Sequence, residues 1–349
     1  MIQKKLFLII IFCTLLVTLM GCTSKEQIYE QQEFKMDTIM NLKAYGSKAE
    51  QAIKKAYERI DEIEQMASAQ IETSDVSKIN ASAGKAYVKV HSEIILMLQT
   101  AVKYSDLSEG AFDITVGPII KLWGIGTDQE RIPTDAEINE TLNLVGYENI
   151  SINAEESSVM LLKEGMSIDL GGIAKGFAAD EVVKIFRESG VENALINLGG
   201  SSMYTLGVKP DKSLWSIAIQ HPRKDKNGNY AGIIKMSSQA LSTSGDYERY
   251  FIENGIRYHH IMNPFTGYPA VAGVMSDTIV ISGDNPNGNM LADILTKVTF
   301  VSGVDKGLEI IDSLEGVECL AITTDNKIYK SSGWTLQVDD ISSDFTTVN

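Results

Sequence analysis

The chain has 349 residues, 44% of them hydrophobic, enough for a sizeable core in one large domain or two modest ones. Its 31 Lys and Arg face 46 Asp and Glu, a formal charge of −15 with no basic cluster, which argues against nucleic acid as a partner. Any anionic ligand therefore needs a local positive field from a lysine, a helix N-terminus or a metal ion.

Lys4 and Lys5 precede a largely apolar run from Leu6 to Met20, then Gly21 and Cys22. That run is short for a membrane span, which takes roughly 20 apolar residues, and fits the core of a signal peptide. L-M-G-C at 19–22 resembles the lipobox of bacterial lipoproteins. It implies a signal peptide over 1–21, lipid on Cys22, and attachment to the extracytoplasmic face of the cell membrane. The other reading is an ordinary secretory signal with an accidental cysteine. Removal of 1–21 takes two lysines and no acids, leaving 31 − 2 − 46 = −17. Of the three cysteines only Cys319 then stays a free thiol, in an apolar strand-like run, so no disulfide framework or cysteine metal cluster exists within one chain.

Residues 22–33 are polar and read as a tether, and 34–45 alternates like a strand. Helical spacing of Ile53, Tyr57, Ile60 and Ile63 predicts a helix over 48–66. A turn-rich stretch (74–84) and a second amphipathic helix (91–105) follow. Residues 110–126 are too glycine-rich for a plain helix, while 134–145 is helical with Thr134 as its cap. A helix over 179–190 stops at Gly190, and a strand over 194–201 ends in paired glycines. Alternating strands are expected at 215–220 and 230–236, and a hairpin over 249–261 turns at Asn254-Gly255. A strand (277–283), two helices (290–303 and 305–314) and a closing hairpin (320–331) complete the chain. Hairpins mixed with helices indicate an α+β fold, mixed and antiparallel sheets flanked by helices, in a single domain over 34–337 with a tail at 338–349.

Four segments carry chemistry. In D-L-G-G-I-A-K-G (169–176) a strand ends in two glycines before a helix, which lets a ligand approach the backbone and meet free N–H groups. Lys175 lies in that first turn, and Asp169 at the strand end can accept a ligand's hydrogen bond. The segment matches neither the Walker nor the Rossmann template, and a tight strand-to-helix turn with a solvated lysine is the other reading. His259 and His260 are adjacent, so on a strand they point to opposite faces and do not share an ion. One of them suits a general base near neutral pH, or a half-buried hydrogen-bonded histidine. Asp293, Thr296 and Lys297 share one helix face; carboxylate plus hydroxyl makes a magnesium corner, and the alternative is an exposed Asp–Lys pair worth a few tenths of a kcal/mol. Finally, 110–118 and 240–249 are rich in Gly, Ser, Thr and Asp, which is also ordinary loop chemistry.

In order, M-D-T (36–38), S-x-x-S-x-x-N (74–80), G-A-F-D-I-T-V-G-P-x-x-x-L-W-G (110–124), I-D-L-G-G-I-A-K-G (168–176) and N-L-G-G (197–200) are present, followed by S-T-S-G-D-Y-E-R (242–249), H-I-x-x-P-x-T-G (260–267) and A-D-x-L-T (292–296). The set resembles the ApbE family of flavin transferases along nearly the whole mature chain. The resemblance implies a single T-fold-like catalytic domain that takes FAD, transfers its FMN half to a Thr or Ser hydroxyl of an exported or membrane acceptor protein, and releases AMP. It also implies Met36, Ala111, Phe112, Asp113, Asp169, Lys175 and Ile261 at the FAD site. Gly172 (through its carbonyl), Asp293 and Thr296 would sit at Mg²⁺, and His260 would be the base. A Mg²⁺-dependent FAD pyrophosphatase and a non-catalytic flavin-binding lipoprotein are the alternatives. Two positions depart from the family pattern. Thr296-Lys297 stands where Ser/Thr-Thr is common, and S-A-Q-I stands where an aromatic often covers the nucleotide. No D-G-x-[ST]-G-A-[ST] acceptor motif occurs in this chain, so the acceptor is expected to be another protein.

Overall fold

A computed structural model describes residues 27–224, 228–282 and 285–348. The expected signal peptide and Cys22 lie outside the described residues. From Ile28, however, the expected tether is a paired strand. β1 (Ile28–Lys35) and β2 (Thr38–Tyr45) form a hairpin, so 34–45 is not one strand. Its two-residue turn, Met36-Asp37, has φ of 47° and 60°, the left-handed pair that suits the twist of a tight hairpin.

The helices α1 (Ala49–Ala67), α2 (Asp75–Ala81), α3 (Ser92–Leu107), α4 (Gly117–Trp123) and α5 (Asp135–Leu142) follow, interrupted by the short strand β3 (Val88–Lys89). The glycine-rich stretch thus holds a 3₁₀ turn (Ile114–Val116) and a two-turn helix that Gly124 ends in the left-handed conformation. Thr134 and Glu137 close a reciprocal capping box on α5. β4 (Ile150–Asn153) and β5 (Ser158–Leu161) join β3 in a small sheet. Next come α6 (Ala174–Glu188), β6 (Ala194–Leu198), β7 (Ser202–Leu206), β8 (Trp215–Gln220), β9 (Tyr230–Met236) and β10 (Gln239–Gly245). The hairpin β11 (Tyr250–Glu253) and β12 (Ile256–His259) precedes β13 (Val274–Ser282), α7 (Gly288–Ser302) and α8 (Val304–Asp312). β14 (Val317–Thr323), β15 (Lys327–Lys330), β16 (Val338–Asp339) and β17 (Thr346–Thr347) close the chain.

The main sheet has the order β1-β2-β6-β7-β10-β13-β14-β15-β17 and is antiparallel except at β15–β17. The expected tail is therefore part of the fold: β17 extends this sheet, β16 pairs with β9, and Phe345 is buried. Alternation along β13 shows why this strand is covered on both faces. Ile279 and Ile281 pack with the helical core of α1, α6 and α7, while Val280 packs with Trp215, Ile217 and Ile234 of the β8–β9 layer. The architecture is α+β in three layers.

α6 and α7 lie against each other on the helical face, and their junction is unusually close. A Cβ on Gly176 would fall on the Asn289 carbonyl oxygen, 2.7 Å from the carbonyl carbon and 2.7 Å from Met290 Cα. Each helix also caps the other. Asp293 Oδ2 on α7 accepts the Gly176 N–H at 3.0 Å. Asp180 on α6 accepts the N–H groups of Asn289 and Met290, both at 2.9 Å, at the start of α7. Burial pushes the Asp180 carboxyl up to about 7, and those N–H donors pull against it.

Candidate active site

The D-L-G-G segment is held open from a distance. Asn80, last of the S-x-x-S-x-x-N residues, clamps the backbone of Ile168: its Nδ2 donates to the Ile168 carbonyl at 3.0 Å and its Oδ1 accepts the Ile168 N–H at 2.8 Å. Ser74 of the same motif caps α2 through the Ser77 N–H at 2.9 Å. From the other side, Asp169 N–H donates to the Ile114 carbonyl at 2.8 Å. The turn then closes on itself, with the Asp169 Oδ1 accepting the Gly171 N–H at 2.7 Å.

Lys175 follows in the first turn of α6, and its Nζ donates back to the Gly171 carbonyl at 3.2 Å. Desolvation lowers its pKa; Asp293 opposes this, while Lys297 and Arg249 reinforce it. These interactions place Lys175, Asp293, Lys297 and Arg249 within electrostatic reach of one another, although they come from three separated segments. The α6 N-terminus is less open than its glycines imply, because the Gly176 N–H is bound to Asp293 and the Ala174 N–H to the Leu170 carbonyl.

His260 completes the cluster. The two histidines point to opposite faces, as strand alternation predicts, and His259 is the inward one, where its Nε2 donates to the Ala270 carbonyl at 2.8 Å. His260 faces out, with its Nδ1 3.3 Å from the Arg249 carbonyl oxygen. A carbonyl only accepts, so the proton sits on Nδ1 and the Nε2 lone pair is free. Desolvation by the surrounding walls, then His259, Arg249, Lys175 and Lys297, lowers the His260 pKa. The ring still reaches water, and the nearby cations Arg249, Lys175 and Lys297 disfavour a further charge on it. Either way the imidazole is neutral at neutral pH.

The A-D-x-L-T-K face is buried, not the exposed pair that spacing allows. Asp293 is fully buried and Lys297 is 20% exposed. Lys297 Nζ binds both Asp293 Oδ1 and, at 2.9 Å, the Asp293 carbonyl. Thr296 donates to the same carbonyl at 2.7 Å and accepts from Ser244 of the S-T-S-G motif at 2.9 Å. Lys297 also runs beside the glycine loop, its Cε 3.6 Å from where a Gly172 Cβ would lie, with Phe112 at 3.3 Å on the same side. Gly172, Asp293, Thr296 and Lys297 therefore do converge.

Magnesium does not fit this donor set as it stands. Oδ1 and the carbonyl of Asp293 hold an ammonium, Oδ2 holds an amide, and the Thr296 hydroxyl is engaged on both sides. A divalent ion about 4 Å from a fixed ammonium would be repelled by roughly 8 kcal/mol at an effective dielectric near 20. Asp277 on β13 is a further acid that sequence reasoning missed. It is fully buried, neither oxygen has a hydrogen-bond partner, burial raises its pKa far above the usual carboxylate range, and Lys297 is the cation opposing that shift.

The remaining expected FAD residues divide. Met36 sits half-buried in the strained hairpin turn, and its neighbour Asp37 pairs with Arg249 at 3.0 Å, which ties the turn to the cluster. Ala111 and Ile261 are buried together with Ala270 and Phe300, so they form the floor rather than a polar contact. Asp113 is already engaged within the protein. Its Oδ1 caps the 3₁₀ turn through the Thr115 N–H at 2.7 Å and hydroxyl at 2.6 Å, and its Oδ2 takes the Tyr147 N–H at 3.0 Å. Burial raises its pKa, and both oxygens are occupied by the protein itself. Trp123, from L-W-G, likewise braces the N-P-F-T-G turn by donating to the Gly267 carbonyl at 2.7 Å.

A model of the ApbE family matches residues 36–321. The FAD:protein FMN transferase of Klebsiella pneumoniae is 32% identical over 326 residues, covering 93% of this chain and 99% of the relative. The FAD:protein FMN transferase of Treponema pallidum is 29% identical, covering 90% and 89%. Among solved structures, the ApbE protein of Thermotoga maritima superimposes with a TM-score of 0.77 at 32% identity, over 90% of this chain and 97% of its own. The flavin transferase ApbE of Vibrio cholerae gives 0.76 at 26% identity, over 92% and 100%. Eight motifs in order, a shared fold and a match spanning most of the chain agree: this protein belongs to the ApbE family.

Proposed function

We propose that the protein is an FAD:protein FMN transferase, which moves FMN from FAD to a Thr or Ser hydroxyl of an acceptor protein and releases AMP. One observation carries this reading. In a chain of net charge −15, Lys175, Lys297 and Arg249 gather with a neutral His260 around a glycine turn that admits close backbone approach. Such a field suits a diphosphate.

The acceptor oxygen attacks the phosphorus on the FMN side, and the bond from that phosphorus to the bridging oxygen breaks. AMP leaves with that oxygen. His260 Nε2 takes the hydroxyl proton, with Nδ1 anchored on the Arg249 carbonyl. Lys175 and Arg249 hold the diphosphate in line and offset the charge spread over its oxygens. The oxygens expected for magnesium are engaged by Lys297, the Gly176 N–H and Ser244.

His260→Ala should lower FMN transfer by about 10²–10⁴-fold while FAD still binds. Transfer is read as covalent flavin fluorescence on a carrier bearing the D-G-x-[ST]-G-A-[ST] motif, and binding as FAD fluorescence quenching. Free FMN plus AMP without labelled carrier would favour a pyrophosphatase, and unchanged FAD a binding protein. Lys4, Lys5, the apolar run and L-M-G-C support a site of action at the extracytoplasmic face, anchored through Cys22. Loss of metabolic palmitate labelling in Cys22→Ala tests that placement.

A further inference from the structure

The buried Lys297–Asp293 pair has a consequence for how the diphosphate is neutralised, and it rests on the flavin-transfer reading above. A hard divalent ion such as magnesium takes about six oxygens in near-octahedral array. Here the Asp293 carboxylate and carbonyl hold Lys297 Nζ on two of their oxygens and the Gly176 N–H on a third. The lysine stem runs beside Gly172, its Cε 3.6 Å from where a Cβ on that glycine would lie, and the two bonds to Asp293 hold the ammonium in place. Two of its three N–H groups are used on Asp293, which leaves one for a ligand oxygen. Lys297 is the cation that donates directly to Asp293.

We propose that Lys297 stands in for a divalent cation, so that this chain transfers FMN without metal. The reaction balances without one. The acceptor hydroxyl loses its proton to His260, the new P–O bond forms on the FMN phosphate, and the old bridging oxygen departs on AMP. Its growing charge is met by the Lys297 ammonium.

The test uses the full chain in detergent, FAD, and a carrier with the D-G-x-T-G-A-T motif. Transfer should run equally fast in EDTA and in Mg²⁺. Lys297→Thr should lose about 10²–10³-fold in EDTA, on the scale of removing one charge-stabilising donor, and recover on adding Mg²⁺. Independently of turnover, Mn²⁺ followed by electron paramagnetic resonance should bind the FAD-loaded Lys297→Thr protein and not the FAD-loaded wild type. Wild-type transfer abolished by EDTA and restored by Mg²⁺ overturns the lysine's role and leaves the transferase reading standing. If no condition gives transfer, the functional reading fails; tight Mn²⁺ binding by the wild type then overturns the lysine's place on its own.

Discussion

Replacing Gly176 by alanine should separate two helices that carry opposite halves of the site. The new methyl would meet backbone atoms of Asn289 and Met290, 2.7 Å from two carbons and closer still to the carbonyl oxygen. Carbon atoms rest at about 3.5–4.0 Å, so α7 must retreat by roughly 1 Å. The Gly176 N–H bond to Asp293, now 3.0 Å, would then be lost. Overpacking costs about 1–3 kcal/mol and a hydrogen bond to a charged group about 1.5–3, while alanine returns about 1 kcal/mol of helix propensity. The net is a destabilisation of roughly 1.5–5 kcal/mol, or about 2–7 °C in Tm for a domain of this size. Differential scanning calorimetry measures it. Because Asp293 and Lys297 move with α7, transfer should fall further than stability alone explains at a temperature where the variant is folded. An unchanged Tm, or a lowered Tm with full transfer, refutes the claim that this junction positions the site.

Two further outcomes follow from the same geometry. His260 is held neutral by its environment, so its base form persists as pH falls. kcat/KM, which reports the free enzyme, should show no acidic limb at the ordinary imidazole value of about 6.5, and a limb there would mean that His260 titrates normally. Asn80→Ala leaves an N–H and a carbonyl of Ile168 unpaired next to the glycine turn, at about 2–4 kcal/mol. It should raise KM for FAD more than it lowers kcat; an unchanged KM would show that the clamp does not set the loop.

Much was legible locally. Periodicity located α1, α3 and α7, the Asn254-Gly255 turn located the β11–β12 hairpin, the Thr134 cap marked the start of α5, and alternation put His259 and His260 on opposite faces. These follow from bonding between near neighbours and from which face is apolar. Motif order was enough for the family, since it compares residue types and needs no geometry. What the sequence could not decide was whom each polar side chain would bind. Asp113 has the look of a ligand contact, yet its partners come from the 3₁₀ turn and from Tyr147, 34 residues away. Asn80 reaches 88 residues to Ile168. Asp293 and Lys297 read as an exposed ion pair or a metal corner, and only the packing of α7 against α6 and β10 buries them and commits the carboxylate to an ammonium and an amide. Local pattern settles which element forms, because helix and strand bonds are short in sequence. Long-range packing settles which charges are desolvated together, and that decides the chemistry of the site.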